Sequence, residues 1–326
     1  MTPRLSKRTN SASALLAVYW TLAVLGLIVF SVSQFVLDDL EAVGNRQDYF
    51  EARLLAERGI TFASHPQIKR DDPLLRQNFK RGRFVGDFIG EGARINLNAV
   101  LLREQDDILE NLFSNWGLEP DQIDLVVGAL MDWVDSDDLT RFTGAEEREY
   151  EESGIRGYPF NRPFRNLDEA RLVRGMDWVD ELRPDWRESF TLWSDGKVDV
   201  SAAEADIISA ATSSDPVAAE SLVVSRRGPD GIDGTEDDVR LNSLDAVLQM
   251  LQVPTELSES MEQRITIQDD TSRVTGIGTI NGVSVRQTLV IRQRSSRPTL
   301  LHFSEVLLDE EEPAEEDVNP FFGGSF

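Results

Sequence analysis

From Thr9 to Leu37 the chain carries no charged residue, and this stretch lies between Arg4, Lys7 and Arg8 on one side and Asp38 and Asp39 on the other. Within it the apolar run Ala12 to Val36 is longer than the roughly 20 residues a helix needs to cross a bilayer core. The basic flank predicts that the first residues stay cytoplasmic and that everything after Asp38 lies on the far side. A cleaved signal peptide has the same order of basic, apolar and small residues. Its apolar region, however, is only roughly 7 to 15 residues long and ends in a small-x-small site. Here the run ends Phe30-Ser31-Val32-Ser33-Gln34-Phe35-Val36, so length favours a retained single-pass anchor.

The helical pattern continues past the paired aspartates. Leu40, Val43, Gln47, Phe50 and Leu54 recur at spacings of three and four, with Glu41, Arg46, Asp48, Arg53 and Glu57 on other faces, which is the pattern of an amphipathic helix. Gly44 weakens it without ending it. A helix continuous from Ser13 to Ala63 would be about 75 Å long at about 1.5 Å per residue, one half in lipid and the other against a soluble domain.

Over the whole chain, 58 acidic residues against 33 basic ones give a formal charge of −25, which repels nucleic acid unless a local basic patch overrides the field. Lys80, Arg81 and Arg83 are too few for such a patch. There is no cysteine, which excludes disulfides, thiol chemistry and cysteine metal sites. Arg83 to Leu97 reads as short strands broken by glycine. From Asn98 to about Asp185 the apolar spacing turns helical, with starts at Glu119-Pro120-Asp121 and Asn166-Leu167-Asp168-Glu169. Asp135 to Pro163 reads as a long ordered loop, and strand-like runs return after Phe190. Gly92-Ala93-Arg94-Ile95-Asn96-Leu97-Asn98-Ala99 is echoed by Gly196-Lys197-Val198-Asp199-Val200-Ser201-Ala202. Each is a glycine turn, a basic residue, a short strand and an Asn or Ser placed to cap a helix.

Three clusters bear on chemistry. Asp230, Asp233, Asp237 and Asp238 lie in a glycine-punctuated run, Gly228 to Asp238, that could supply the oxygen ligands calcium takes. The spacing is not that of an EF-hand, and composition alone leaves an exposed acidic hairpin as the equal reading. Asp132, Asp135, Asp137 and Asp138 read as a helix end with solvated acids rather than a catalytic carboxylate pair. Trp133 and Trp178, in the repeated pattern Met-Asp-Trp-Val-Asp, read as core or interface anchors. His65 and His302 stand apart from any nucleophile motif, and Gly276-Ile277-Gly278 lacks the lysine and helix of a phosphate loop.

Taken in order, several segments resemble the K-type minor pseudopilins of type II secretion, the general secretion pathway protein K family. They are Ser13-Ala14-Leu15-Leu16-Ala17-Val18-Tyr19-Trp20, Ile95-Asn96-Leu97-Asn98, Met131-Asp132-Trp133-Val134-Asp135-Ser136-Asp137-Asp138, Asn161-Arg162-Pro163 and Ala170-Arg171-Leu172-Val173-Arg174-Gly175-Met176. The resemblance implies an α+β fold: a long N-terminal helix, an antiparallel sheet on its exposed half, and a large all-α domain inserted between strands. It divides the chain into a basic leader (1–12), a transmembrane half-helix containing Leu15, Leu16, Ala17 and Trp20 (13–37), and a periplasmic half-helix with the first strands (38–97). There follow the inserted helical domain (98–190), a second helical module with the C-terminal sheet and acidic loop (191–308), and an acidic tail (309–326).

The resemblance further implies a non-enzymatic subunit at the tip of a periplasmic pseudopilus, held in the inner membrane with its N-terminus cytoplasmic. Its partners would be the I- and J-type minor pseudopilins, the major pseudopilin and a prepilin peptidase that cuts between Ala12 and Ser13. The resemblance also raises calcium at the 228–238 loop. Two departures from the usual pilin pattern are Ala12 in place of the leader's final glycine and Ala17 in place of the glutamate that neutralises a neighbour's amino terminus. An unpaired acid in the bilayer is expensive, so its absence suits a subunit with none ahead of it. The alternative is a membrane-anchored exported protein, either an enzyme or a helix-hairpin-helix protein of DNA uptake, against which the charge and the missing catalytic constellation count.

Overall fold

The computed structural model describes residues 11–308 apart from 232, 234 and 236, and in its first helix it describes side chains only at 18–27, 30–31 and from 46 onward. The leader before residue 11 and the tail 309–326 lie outside the described residues. Helix α1 runs unbroken from Ser11 to Ala63. Ala12, Ser13, Leu15, Leu16 and Ala17 are on its first turns, with side chains outside the described set. Trp20 is exposed, as are Val18, Leu22, Leu25 and Phe30. Among the described residues no helix is long and apolar enough to cross a membrane; much of the expected anchor lies among the undescribed side chains.

The second half of α1 lies across a five-stranded antiparallel sheet of β1 (Arg76–Asn78), β2 (Gly82–Gly90), β7 (Thr271–Ile280), β8 (Val283–Arg292) and β9 (Thr299–Leu308), in the order β1-β2-β7-β8-β9. The helix approaches closely because both surfaces are nearly bare. On α1 the inner face is Ala52, Ala56, Gly59 and Ala63, at helical spacings of four, three and four, flanked by Leu55 and Ile60. On the sheet Gly86, Gly276 and Gly278 stand opposite. A Cβ on Gly278 would lie 2.0 Å from the Ala52 carbonyl oxygen, and one on Gly276 would lie 2.2 Å from that of Ala56. Gly276-Ile277-Gly278 is therefore a packing device.

This reverses the face expected of α1. Phe50, Leu54 and Gln47 point away from the sheet, Phe50 with 54% and Leu54 with 43% of its surface exposed. The cause is physical: a seam built for close approach uses small residues, so the largest apolar side chains are left on the opposite face. Along the β9 side, Glu305 accepts hydrogen bonds from Tyr49 (2.6 Å) and Arg53 (2.8 Å), and Arg294 holds the end of the helix through the carbonyls of Ala63 and His65.

Between β2 and β7 the chain leaves the sheet for residues 91–270. The helices there are α2 (Leu97–Leu102), α3 (Asp106–Trp116), α4 (Pro120–Val134), α5 (Glu147–Glu152), α6 (Met176–Leu182), α7 (Ala205–Thr212), α8 (Pro216–Arg226), α9 (Leu244–Met250) and α10 (Ser258–Met261). Two-residue parallel ladders, β3 (Ile95–Asn96) with β4 (Phe190–Thr191) and β5 (Val198–Asp199) with β6 (Ile265–Thr266), close it. One continuous core joins Ile95 to Ile265, including Trp133, Trp186, Phe190, Ile208 and Leu222. The insertion therefore extends well past the expected boundary at 190, and the region after Phe190 is mainly helical until β7.

Local signals had mixed outcomes. Asn96 caps α2 by accepting from the Ala99 amide (3.1 Å), whereas Asn98 brackets Phe164 with two bonds (2.8 and 2.9 Å). In the echoed segment Ser201 does not cap; Asp199 accepts from it, and α7 starts only at Ala205. The Asn166 cap is correct but opens a 3-10 turn, Leu167–Leu172.

The insertion is riveted to the sheet by Glu91, fully buried just after β2. Arg273 of β7 donates to both its oxygens (2.6 and 2.8 Å), Thr191 of β4 donates to one, and Arg94 stands 3.4 Å away. Burial pushes the Glu91 carboxyl up, but the Arg273 bonds and the two neighbouring guanidinium charges outweigh it and hold it below the ordinary glutamate value. Burial, with the Arg273 charge, lowers Arg94 to about 10.

Two outcomes are expected from denaturant unfolding. Gly278→Val should cost at least about 1–3 kcal/mol, since the helix backbone must move to admit the side chain; a loss within 0.5 kcal/mol of zero, about the scatter of neutral surface changes, would contradict the seam. Arg273→Met should cost about 3–5 kcal/mol by leaving Glu91 buried and unpaired, and adding Glu91→Gln should restore part of that loss. A carboxyl with a lowered folded pKa stabilises fully above its unfolded value, and the contribution fades as pH falls through the folded one. The Arg273→Met deficit should therefore shrink in acid.

Candidate interface and candidate cation site

Two features of this frame can carry function: the outward face of α1 and the carboxylates of the insertion. Near Leu54 and Phe50, α1 presents apolar side chains that nothing among the described residues covers. Of the neighbouring charges, Arg53 pairs with Glu305 and Arg81 with Glu51, while Gln47 and Glu57 are exposed beside Phe50 and Leu54 on the outer face.

Of the two tryptophans expected as core or interface anchors, Trp133 is fully buried. It stacks on Phe164 at 5.9 Å and meets Tyr150, Tyr158 and Phe160 edge-on or tilted, so it belongs to the core of the insertion and is closed to a partner. Trp178 is half-buried, lying against the same core beside Gly175. His302 stacks on Trp193 at 5.1 Å, and His65 accepts from the Gln67 amide; neither faces a nucleophile.

The four carboxylates expected to hold calcium do share the loop after α8, but they are otherwise engaged. Asp233 takes Arg227 at 2.9 Å on one oxygen and Arg226 at 3.4 Å on the other. Asp237 accepts from the Asp230 amide (3.1 Å) and from the Thr235 hydroxyl (2.6 Å), with Asp238 near the same hydroxyl. Arg226, itself buried, also donates to the carbonyls of Val200 and Ala203, so Asp233 serves as the counter-ion that fastens the loop to the insertion. Residues 232, 234 and 236 of this loop lie outside the described residues.

The acids at the end of α4 behave differently from the solvated cluster expected of them. Asp132 is fully buried; its Oδ2 accepts from the Arg141 amide (3.1 Å), and it lies so close to Gly144 that a Cβ there would sit 1.9 Å from that oxygen. Glu146, at the start of α5, is 3% exposed, and neither of its carboxylate oxygens has a hydrogen-bond partner. The Glu149 amide that a capping side chain would take bonds the Glu146 carbonyl instead (3.0 Å). Asp135 Oδ1 and Asn161 Oδ1 are also buried without a donor. Arg141 bridges Asp132 (3.4 Å) and Asp135 (3.8 Å) at long range.

Burial, reinforced by neighbouring acids, pushes Asp132 up to about 6 and Glu146 up to about 7. Among the described residues no three Asp, Glu, His or Cys side chains are grouped so as to hold a metal ion between them. What the end of α4 and the turn into α5 carry is a surplus of buried oxygen acceptors without donors. Glu146, Asn161 and Arg141 were missed in the sequence, where the one available signal was a glutamate, after Gly144-Ala145, following a run of aspartates.

Residues 93–184 match the family model described as Type II secretion system (T2SS), protein K. The type II secretion system protein K of Klebsiella pneumoniae is 34% identical over 94 residues, which is 26% of this chain and 29% of that protein. The match thus spans less than a third of that relative. A chain of the crystal structure of the GspK-GspI-GspJ complex from the enterotoxigenic Escherichia coli type 2 secretion system has a TM-score of 0.58 with this one. It is 14% identical, and the likeness covers 84% of this chain and 99% of that one, which shows a shared fold. Residues 93–184 thus resemble type II secretion system protein K in sequence, and the chain shares its fold with the matching chain of the solved complex.

Proposed function

We propose that the chain is a minor pseudopilin at the tip of the type II secretion pseudopilus, a structural subunit without catalytic chemistry that serves protein export. The observation that carries this reading is the division of labour in α1. Its small-residue face is consumed by its own sheet, and its large apolar face, Phe50 and Leu54, is left for another subunit. An apolar stripe on a helix that is covered by nothing of its own chain marks a packing surface.

The insertion supports the tip position. Residues 91–270 share one continuous core and outnumber the sheet domain that carries them, which suits a subunit used once at an end better than one repeated along a filament. In this reading the N-terminal part of α1 anchors the chain in the inner membrane with the remainder periplasmic, and a prepilin peptidase cuts between Ala12 and Ser13. The partners are the I- and J-type minor pseudopilins, with the major pseudopilin below them. The printed title of the similar crystal structure describes a complex of three such proteins, which supports that choice. The net charge of −25 speaks against nucleic acid as a partner.

Co-purification tests the proposal. The wild-type chain should bring down its I- and J-type partners, whereas Phe50→Lys with Leu54→Lys should lose them while changing the chain's own stability by no more than about 0.5 kcal/mol per site. Retention of both partners by the double variant, or failure of the wild type to bind either, would sink it.

A further inference from the structure

A strand at the end of a sheet leaves one row of amides and carbonyls unpaired, and folded proteins shield such a row with charge, proline, brevity or a covering segment. Strand β9 has none of these. It runs ten residues, Thr299–Leu308, with no lysine, arginine or proline, and among the described residues no strand pairs with its outer edge. Its one acid, Glu305, is already tied to Tyr49, Arg53 and Gln287. Apolar side chains are on view instead, for Leu300, Phe303, Val306 and Leu307 are 47–58% exposed.

The register says which backbone groups face outward. Asn281 and Gly282, both at positive φ, form the two-residue turn of the β7–β8 hairpin, so its closing pair, Ile280 and Val283, exchanges both ladder bonds. By alternation Ser284, Arg286 and Thr288 turn their backbone groups to β9, where they meet Leu308, Val306 and Ser304. Phe303, Glu305 and Leu307 are left with amides and carbonyls aimed away from the sheet. Their side chains share the face on which α1 lies, because Glu305 reaches Tyr49 and Arg53. Those two residues directly precede Phe50 and Leu54, so the free edge borders the outward face of α1 and one neighbour can cover both.

We propose that β9 takes up, by strand addition, the free edge strand of the pilin-like subunit whose helix lies on Phe50 and Leu54, so that one sheet runs across two subunits; this rests on the reading of the chain as a minor pseudopilin. Main-chain bonds to Phe303, Glu305 and Leu307 give the affinity, and the Phe303 and Leu307 side chains ask for apolar neighbours. The incoming strand needs no cation, since the Glu305 oxygens are already used. Charge disfavours two nearer occupants. A second copy of the chain would bring another net −25 against the first. Residues 309–317 hold seven acids and Pro313, so a turn back along β9 would set acids beside Glu305 and lack an amide.

The test follows backbone amide exchange residue by residue in the full chain in detergent, alone and bound to its I- and J-type partners. Alone, the amides of Phe303, Glu305 and Leu307 should exchange at least about tenfold faster than those of Ser304 and Val306, which bond β8. In the complex the two sets should become alike. Leu307→Pro removes an outward amide without touching the β8 ladder. It should weaken partner binding by at least about tenfold with its urea midpoint unchanged; should it unfold, the exchange pattern of the wild type still decides. A complex that forms with the three amides still fast, or with a folded Leu307→Pro variant bound as tightly as the wild type, overturns the strand addition and leaves the pseudopilin reading standing. A wild type that binds neither partner overturns both. Slow exchange at the three amides in the isolated chain also overturns the proposal: relief on deleting 309–326 would give the edge to that segment, and relief on dilution to a second copy.

Discussion

Everything in this molecule hangs on how closely one helix can lie on one sheet. Ala52, Ala56, Gly59 and Ala63 meet Gly86, Gly276 and Gly278 with no side chain between them, so the backbones themselves are in contact. Such a seam gains little from transferring large side chains out of water. It gains from dense contact and leaves no room for error, because any Cβ on the sheet side strikes a carbonyl or amide of α1. Consuming the small face in this way is also what sets the large face free.

The insertion depends on the same sheet for its foothold. It leaves after β2 and returns at β7, which are neighbours, so both of its ends are fixed at one place. There Glu91 accepts from Arg273 on the sheet and from Thr191 within the insertion, a buried ion pair whose value lies in joining two bodies in one orientation. A continuous core from Ile95 to Ile265 then makes the insertion a single piece. Within the insertion Glu146, buried with neither carboxylate oxygen paired, departs from the rule that buried acceptors find donors.

Much of the architecture was legible from pattern. Pro120 opens α4, and the mixed helix and sheet architecture agrees with the α+β class that the family resemblance implies. What misled was size. Reading a buried face from Leu40, Val43, Phe50 and Leu54 assumes that large apolar residues go inward, which fails when the inner surface is made of alanine and glycine. The boundary at 190 failed for a related reason: β4 and β5 are two-residue ladders inside a helical body, and Phe190 and Val198 look alike whether they begin a sheet or close a core. Sequence density of carboxylates says nothing of counter-ions. Asp233 meets two arginines brought by α8, while Glu146, in a less conspicuous run, meets none.

The central claim is that α1 gives its small face to the sheet and keeps its large face free. The chain has no cysteine of its own, so thiol labelling can read the two faces one position at a time. In the isolated folded chain, Phe50→Cys and Leu54→Cys should label at rates close to those of the unfolded protein, while Leu55→Cys, on the sheet side, should label only as the chain unfolds. Rapid labelling at position 55 with protection at 50 and 54 would mean that the sheet takes the other face, and the account built on it would fail.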